Sequence, residues 1–170
     1  MKIIHIEARS ETDIMPCLRD AFRHLKKGSS VALMSTVQHM HKLEEARDFL
    51  EKNGIKAEIS GQVLGCRVPQ ASNEADAILY LGSGRFHPAG IMLKTGNKVI
   101  AANPFTGKAA RITEKDTESI EKRKRGAVSK FLSSQAIGVL VSTKKGQTGV
   151  QGGMKRVNDI RKKYNDKSFY

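Results

Sequence analysis

A thiol at the end of a glycine-flanked turn is the group best placed to do chemistry in this chain. It belongs to Cys66, the last residue of Gly61-Gln62-Val63-Leu64-Gly65-Cys66, which follows a short β-type run. Glycine admits backbone angles and close approaches that a Cβ blocks, so such a turn can present a thiolate to a metal or a substrate. One cysteine does not hold an iron–sulfur cluster, which takes three or four ligands. As a cluster ligand, Cys66 is one part of a larger site; the competing reading is a small buried hydrophobe. The only other cysteine, Cys17, falls on the apolar face of a predicted helix and reads as core. Two cysteines make no disulfide framework and fit a reducing, cytoplasmic setting.

Two further strings carry possible chemistry. Gly82-Ser83-Gly84-Arg85-Phe86-His87-Pro88 can turn backbone N–H groups toward an anion. Within it, Arg85 can grip a carboxylate or phosphate through two bonds, and His87 can act as acid, base or ligand. The spacing is not that of a Walker A loop. The same string also reads as a tight turn with an exposed arginine and a capping serine. Ser142-Thr143-Lys144-Lys145-Gly146-Gln147 suits an anion at a strand end, and equally reads as solvated lysines. His39 and His41 stand two apart, face different sides of a helix and make a poor metal pair. His5, on a predicted strand, and His24, on a predicted helix, read as structural.

These strings need elements to position them, and the hydrophobic pattern supplies them. Predicted strands cover Lys2–Glu7, Ser30–Ser35, Ile55–Ile59, Asp76–Leu81, Lys98–Ala102 and Ile137–Ser142. Predicted helices cover Asp13–Lys27, His41–Asn53 and Glu114–Gln135, with another beginning at Met154–Lys163. In the first helix Ile14, Cys17, Leu18, Ala21, Phe22 and Leu25 recur at three and four residues; Asp13 caps its start, Pro16 fits its first turn and Gly28 ends it. Continuous apolar strands alternating with helices predict an α/β fold, a parallel sheet flanked by helices. The unusual loops, Thr36-Val37-Gln38-His39 included, all follow strands. They therefore share the carboxyl edge of the sheet, where such folds bind ligands.

Charge bounds the partners. The 170 residues carry a net charge of +13 and a pI near 9.9, which attracts nucleic acid, phosphorylated ligands or an acidic protein. Residues 1–112 hold 16 basic and 11 acidic residues, net +5; residues 113–170 hold 14 and 6, net +8. The run Lys122-Arg123-Lys124-Arg125 follows Glu114, Asp116, Glu118 and Glu121, the pattern of a solvated helix with cations toward one end. A nucleic-acid patch is the alternative, although no aromatics interleave with the cations. No apolar run approaches membrane-spanning length, and the first residues do not form a signal peptide.

The strings STVQHMHKL, GQVLGC, ADAILYLGSGRFHPAGIML and VSTKKGQ, in this order along the chain, resemble the diphthamide-synthesis radical enzymes of archaea and eukaryotes. The resemblance runs through almost the whole chain. It implies three similar α/β domains, each giving one cysteine to a central 4Fe-4S cluster whose open iron binds S-adenosylmethionine. It implies reductive cleavage to a 3-amino-3-carboxypropyl radical, which adds to a histidine of translation elongation factor 2. By the same resemblance Cys66 is the middle domain's cluster ligand. Gly82, Ser83, Gly84, Arg85 and His87, with Ser142, Thr143, Lys144 and Gln147, line the cofactor cavity. Arg85 and Lys144 are candidates for the methionine carboxylate. A dimer and a cytoplasmic location follow for the full enzyme. Cys17 matches no family ligand.

The chain departs from the family in length. The pattern predicts a middle α/β domain over residues 1–136, ending in a long linking helix, and an incomplete carboxyl-terminal domain over residues 137–170. Lys167-Ser168-Phe169-Tyr170 reads as the start of another strand. The expectation is therefore a truncated gene, an excised piece or one part of a split enzyme, inactive without the missing domains or a partner subunit. A different class of function remains open, a non-catalytic basic module that binds an acidic protein or RNA.

Overall fold

A computed structural model describes residues 4, 6, 8–71, 74–141 and 149–170 of the chain. Its first unit, Met1–Ser119, is built on five strands: β1 (Ser30–Ser35), β2 (Lys56–Gln62), β3 (Ala77–Leu81), β4 (Val99–Asn103) and β5 (Lys108–Arg111). They hydrogen-bond in the order β2-β1-β3-β4-β5. The first four pairings in space are parallel except the last, where β5 runs antiparallel to β4. The parallel part and its helical cover agree with the sequence reading. The antiparallel edge strand β5 was not among the predicted strands. Lys-Ala-Ala-Arg has none of the β-branched or aromatic residues that mark a strand, and it pairs because a short connection folds it back on β4.

Helices cover both faces of this sheet. On one face lie α1 (Met15–Ala21), continued by a 3-10 turn over Phe22–His24, and α2 (Leu43–Lys52). Cys17, Leu18 and Ala21 of α1 and Leu43, Ala46 and Leu50 of α2 are buried against Val31, Leu33, Leu79, Leu81 and Ala102. Their spacing of three and four residues makes the apolar stripe that drives this docking. The backbone N–H of Met15 donates to Asp13 Oδ1 at 2.9 Å, so Asp13 does cap the helix start, but α1 is shorter than predicted. The expected helix from His41 begins instead as a 3-10 segment, Val37–Lys42.

A third helix, α3 (Phe86–Thr95), was not anticipated, because Phe86-His87-Pro88 reads as loop. Pro88 sits in the first turn, where a missing N–H costs no hydrogen bond. Gly96, at φ 70°, ends the helix. Of the strand expected at Lys2–Glu7 only Ile4 and Ile6 are described, both exposed and outside any strand; its other residues, His5 among them, and the Ser142–Gln147 loop lie outside the described residues.

The second unit, Ile120–Tyr170, holds most of α4 (Glu114–Ser133), then β6 (Ala136–Ile137), α5 (Gly149–Lys163) and β7 (Ser168–Phe169). β6 and β7 pair in parallel across α5, and Phe131 meets Tyr164 edge-on at 5.1 Å. Lys167 Nζ donates to the carbonyls of Leu132 and Ser134, both at 2.8 Å. Of the expected strand Ile137–Ser142, Ile137 alone is in a strand among the described residues: Gly138–Val141 form none, and Leu140 is fully exposed. The expected strand at the end of the chain is present as β7. Among the described residues no helix is long and apolar enough to cross a membrane.

Leu79 is fully buried at the centre of β3. Leu79→Ala removes that packing from both its strand neighbours and the covering helices. A loss of about 2–5 kcal/mol is expected in urea unfolding, with the denaturant slope unchanged.

Candidate functional site

The sheet order makes a switch point at the carboxyl ends of β1 and β3. From β1 the chain crosses through α2 to β2 on one side; from β3 it crosses through α3 to β4 on the other. The two connections leave a crevice where they part, and ligands bind open α/β sheets at that position. Ser35 ties its two walls, its Oγ donating to Leu81 O at 2.9 Å and to Thr36 O at 2.9 Å. Three of the four loops singled out in the sequence leave this edge: Thr36–His39 after β1, Gly61–Cys66 at the end of β2, and Gly82–Arg85 after β3. The fourth, with Ser142, Thr143, Lys144 and Gln147, lies outside the described residues.

Cys66 is exposed, so its alternative as a buried hydrophobe does not hold. Two local features aim it. The β1–β2 register slips after Leu33–Ile59, where Met34 pairs with Gly61 and Ser60 is left over. Such a bulge bends the strand end. Leu64 and Arg67 then exchange backbone hydrogen bonds, Leu64 N to Arg67 O at 2.8 Å and Arg67 N to Leu64 O at 3.0 Å. Gly65 and Cys66 form the tip of this small hairpin. The other thiol, Cys17, is fully buried, and its Sγ donates to Ile14 O at 3.1 Å. Burial pushes the Cys17 thiol up to about 11.

The unanticipated α3 holds the hairpin. Lys94 Nζ donates to the Cys66 carbonyl at 3.0 Å, and the Phe86 ring lies against Gly65. Between hairpin and helix is a crevice of about 30 Å³ lined by Val63, Leu64, Phe86, His87 and Gly90 among others. His87, half-buried in the first turn of α3, therefore faces the cysteine hairpin's base.

The Gly82 loop is shaped by Tyr80. That residue is fully buried, its ring stacks on His87 at 6.2 Å, and its hydroxyl fills the space a side chain at Gly82 would need. A Cβ on Gly82 would stand 2.7 Å from Tyr80 Oη and 2.9 Å from Cζ, so only glycine fits. Burial pushes the tyrosine hydroxyl up to about 12, with Thr36 acting in the opposite sense, and it stays protonated at neutral pH. Ser83 and Gly84 are exposed above it. They lead into the start of α3, where Arg85 offers no side-chain cap and the first N–H groups lack helical partners. The positive end of the helix dipole adds to this anion-attracting character.

Arg85 is paired: its Nη1 donates to Asp116 Oδ1. Asp116 also accepts from the Thr113 backbone N–H at 2.9 Å and its hydroxyl at 3.0 Å. The Thr113 amide first, then its hydroxyl and Arg85, hold the Asp116 carboxyl below its ordinary value. Arg85 is thus an anchored guanidinium rather than a free one, though much of it is exposed. Sequence reasoning missed Tyr80, Lys94 and Asp116. Tyr80 sits in an all-apolar strand and Asp116 in a charged helix start, so neither stood out.

His39 and His41 are near neighbours rather than ligands to a shared centre. His39 is buried, edge-on to Phe105 at 5.8 Å, and burial with His41 beside it holds its ring below the usual histidine value. His24 is half-buried, with Nε2 3.2 Å from Ala109 O. Among the described residues, no group of three or more His, Cys, Asp or Glu side chains is placed to hold a metal ion. Of the two thiols, Cys66 alone is exposed.

The two thiols should separate in a reaction with an aromatic disulfide. Cys66 should react completely in the folded chain at pH 8, and Cys17 only after unfolding. Equal rates for both would contradict the burial of Cys17.

Comparison with known proteins bears on this edge. All of residues 1–170 match the model of a family described as "Putative diphthamide synthesis protein". A 2-(3-amino-3-carboxypropyl)histidine synthase of Pyrococcus horikoshii is 33% identical over 171 residues, covering 95% of this chain and 49% of the relative. The synthase of the same name from Methanocaldococcus jannaschii is 32% identical over 127 residues, 74% of this chain and 33% of that one. The crystal structure of Dph2 from Pyrococcus horikoshii matches with a TM-score of 0.81 at 31% identity, over 95% of this chain and 49% of that chain. A second structure of the same protein, with a 4Fe-4S cluster, matches equally. The chain spans about half the length of the curated relatives it matches first.

Proposed function

The chain belongs to the diphthamide synthesis protein family, and from that premise we propose that it is the cysteine-bearing part of a 2-(3-amino-3-carboxypropyl)histidine synthase. The observation that carries this reading is the exposed Cys66 thiol, displayed on a braced hairpin at the ligand-binding edge of a fold that a cluster-bearing relative shares. In this reading residues 1–136 are the middle domain and residues 137–170 open the third. Cysteines from the missing domains or from a partner subunit complete the ligand set. The full enzyme is a cytoplasmic dimer.

When bound, the cluster supplies the electron that cleaves S-adenosylmethionine to a 3-amino-3-carboxypropyl radical, for addition to a histidine of translation elongation factor 2. This chain's residues bind and orient. Cys66 gives one thiolate. The Gly82-Ser83-Gly84 turn and the open N–H groups at the start of α3 attract the methionine carboxylate. Arg85, anchored by Asp116, adds positive charge beside them. His87, stacked on Tyr80, is held in one orientation at the crevice. By the family resemblance, Ser142, Thr143, Lys144 and Gln147 are further anion-binding residues of this reading.

A second reading rests on the helix surface. Lys122, Arg123, Lys124 and Arg125 stand in a stretch of α4 exposed from Glu121 to Lys130, which supports docking of an acidic protein or RNA without catalysis. Deleting the gene in its own host separates the two. Mass spectrometry of elongation factor 2 should show loss of the 3-amino-3-carboxypropyl modification. Re-expression of the native chain should restore it, and Cys66→Ser should not. Full modification in the deletion strain, or full rescue by Cys66→Ser, would overturn the synthase reading and favour the binding module.

A further inference from the structure

A cavity in the first unit lies away from the cysteine edge. It has a volume of about 530 Å³ and opens at the opposite, amino-terminal edge of the sheet. That size falls within the range of small-molecule sites, roughly 300–1,000 Å³. Its walls come from separate elements: the turn after α1, the starts of β3 and β4, the end of α3 and the residues following β5. None of these residues takes part in the site described above.

The lining has two chemistries. Leu25, Ala77, Met92, Val99, Ile100 and Ile112 make an apolar interior. The gap between them has a local cause. α3 stops at Gly96, whose left-handed backbone turns the chain back toward β4, and Ala77 presents only a methyl group at the start of β3. The rim is cationic, with Lys26, Lys27, Lys98 and Arg111, and one carboxylate, Asp76. Asp76 is occupied: its Oδ2 accepts the Ser30 backbone N–H at 2.8 Å. Arg111 is fixed at the rim by a bond from Nη2 to His24 O at 3.1 Å. The main-chain groups of this edge are largely spent on one another, as in Ile78 N to Lys98 O at 2.8 Å and Lys56 N to Ser29 O at 2.9 Å. Charge at the rim therefore comes from side chains. Ser29, in the same wall, has a hydroxyl closed to solvent with no hydrogen-bond partner. Such a group costs stability unless something satisfies it.

We propose that this cavity is a second binding site, for a small amphiphilic anion with an apolar ring or chain body and one carboxylate, sulfonate or phosphate head. The body fills the space beside Met92 and Val99. The head meets Lys98 and Arg111 at the mouth, where cations and a bidentate guanidinium favour it over a neutral group. The site stands whether or not Cys66 binds a cluster, because the two edges share no lining residue.

Fluorescence titration of the full chain with 8-anilinonaphthalene-1-sulfonate tests the proposal directly. Saturable binding of one probe per chain is expected, weakening as salt is added. Met92→Trp, which fills the cavity, should abolish it. Lys98→Glu, on the exposed rim, should weaken it about fivefold. Both variants should keep the native unfolding midpoint, which separates loss of the site from loss of the fold. The uncharged N-phenyl-1-naphthylamine should bind at least about tenfold more weakly than the sulfonate. Unsaturable fluorescence, unchanged binding in both variants, or equal binding of the neutral probe would overturn the proposal.

Discussion

The two parallel ladders flanking β1 are the constraint on which the rest of this structure depends. Because β1 pairs with β2 on one side and β3 on the other, three strands end together and their loops leave one edge. A slip of one residue in either ladder would turn Leu33 or Leu79 away from the helices that bury them. The register is thus held by the core, and the core in turn fixes where the loops start. Val63 N donating to Ser35 O at 2.7 Å, and Ser35 Oγ donating to Leu81 O, join all three strand ends at that edge. The cysteine hairpin and the glycine loop start from this joint, and contacts with α3 and Tyr80 then hold them.

On that frame, α3 links the chemistry. Its first turn carries His87 onto Tyr80, and its last turns carry Lys94 to the Cys66 carbonyl. One ten-residue helix therefore ties the anion-attracting loop to the thiol. This division of labour is physically sensible. The proposed role of Cys66 as one ligand of a shared cluster needs a thiol exposed enough to reach its partners yet rigid enough to keep its geometry. Cys66 gains exposure from its place at a hairpin tip and rigidity from α3.

Much of this was legible in the sequence, and the misses have specific causes. Ser30–Ser35 and the strand near Asp76–Leu81 were plain because both faces are buried and their apolar runs are unbroken. The location of the three described loops on one edge followed from strand and helix alternation alone. α3 was hidden because Gly82-Ser83-Gly84 and Pro88 punctuate its approach, and because Ala89, Gly90, Ile91 and Met92 show little polar contrast. β5 was hidden by its composition. Ile137–Ser142 was over-read: an apolar run marks a buried strand only when neighbours cover it, and here just Ala136–Ile137 pair with β7. Tyr80 escaped notice for a related reason. Its role comes from what it does to Gly82, three-dimensional crowding that spacing along the chain does not reveal.

Cys66 as a cluster ligand is the claim on which the functional account turns. Iron and acid-labile sulfide, counted in the native assembly purified anaerobically from its own host beside the same assembly carrying Cys66→Ser, test it most directly. The account predicts an iron–sulfur centre with a matching low-temperature electron paramagnetic resonance signal in the native assembly. It predicts that the substituted assembly loses iron and that its signal changes or disappears. Equal iron and an identical signal in both would contradict it.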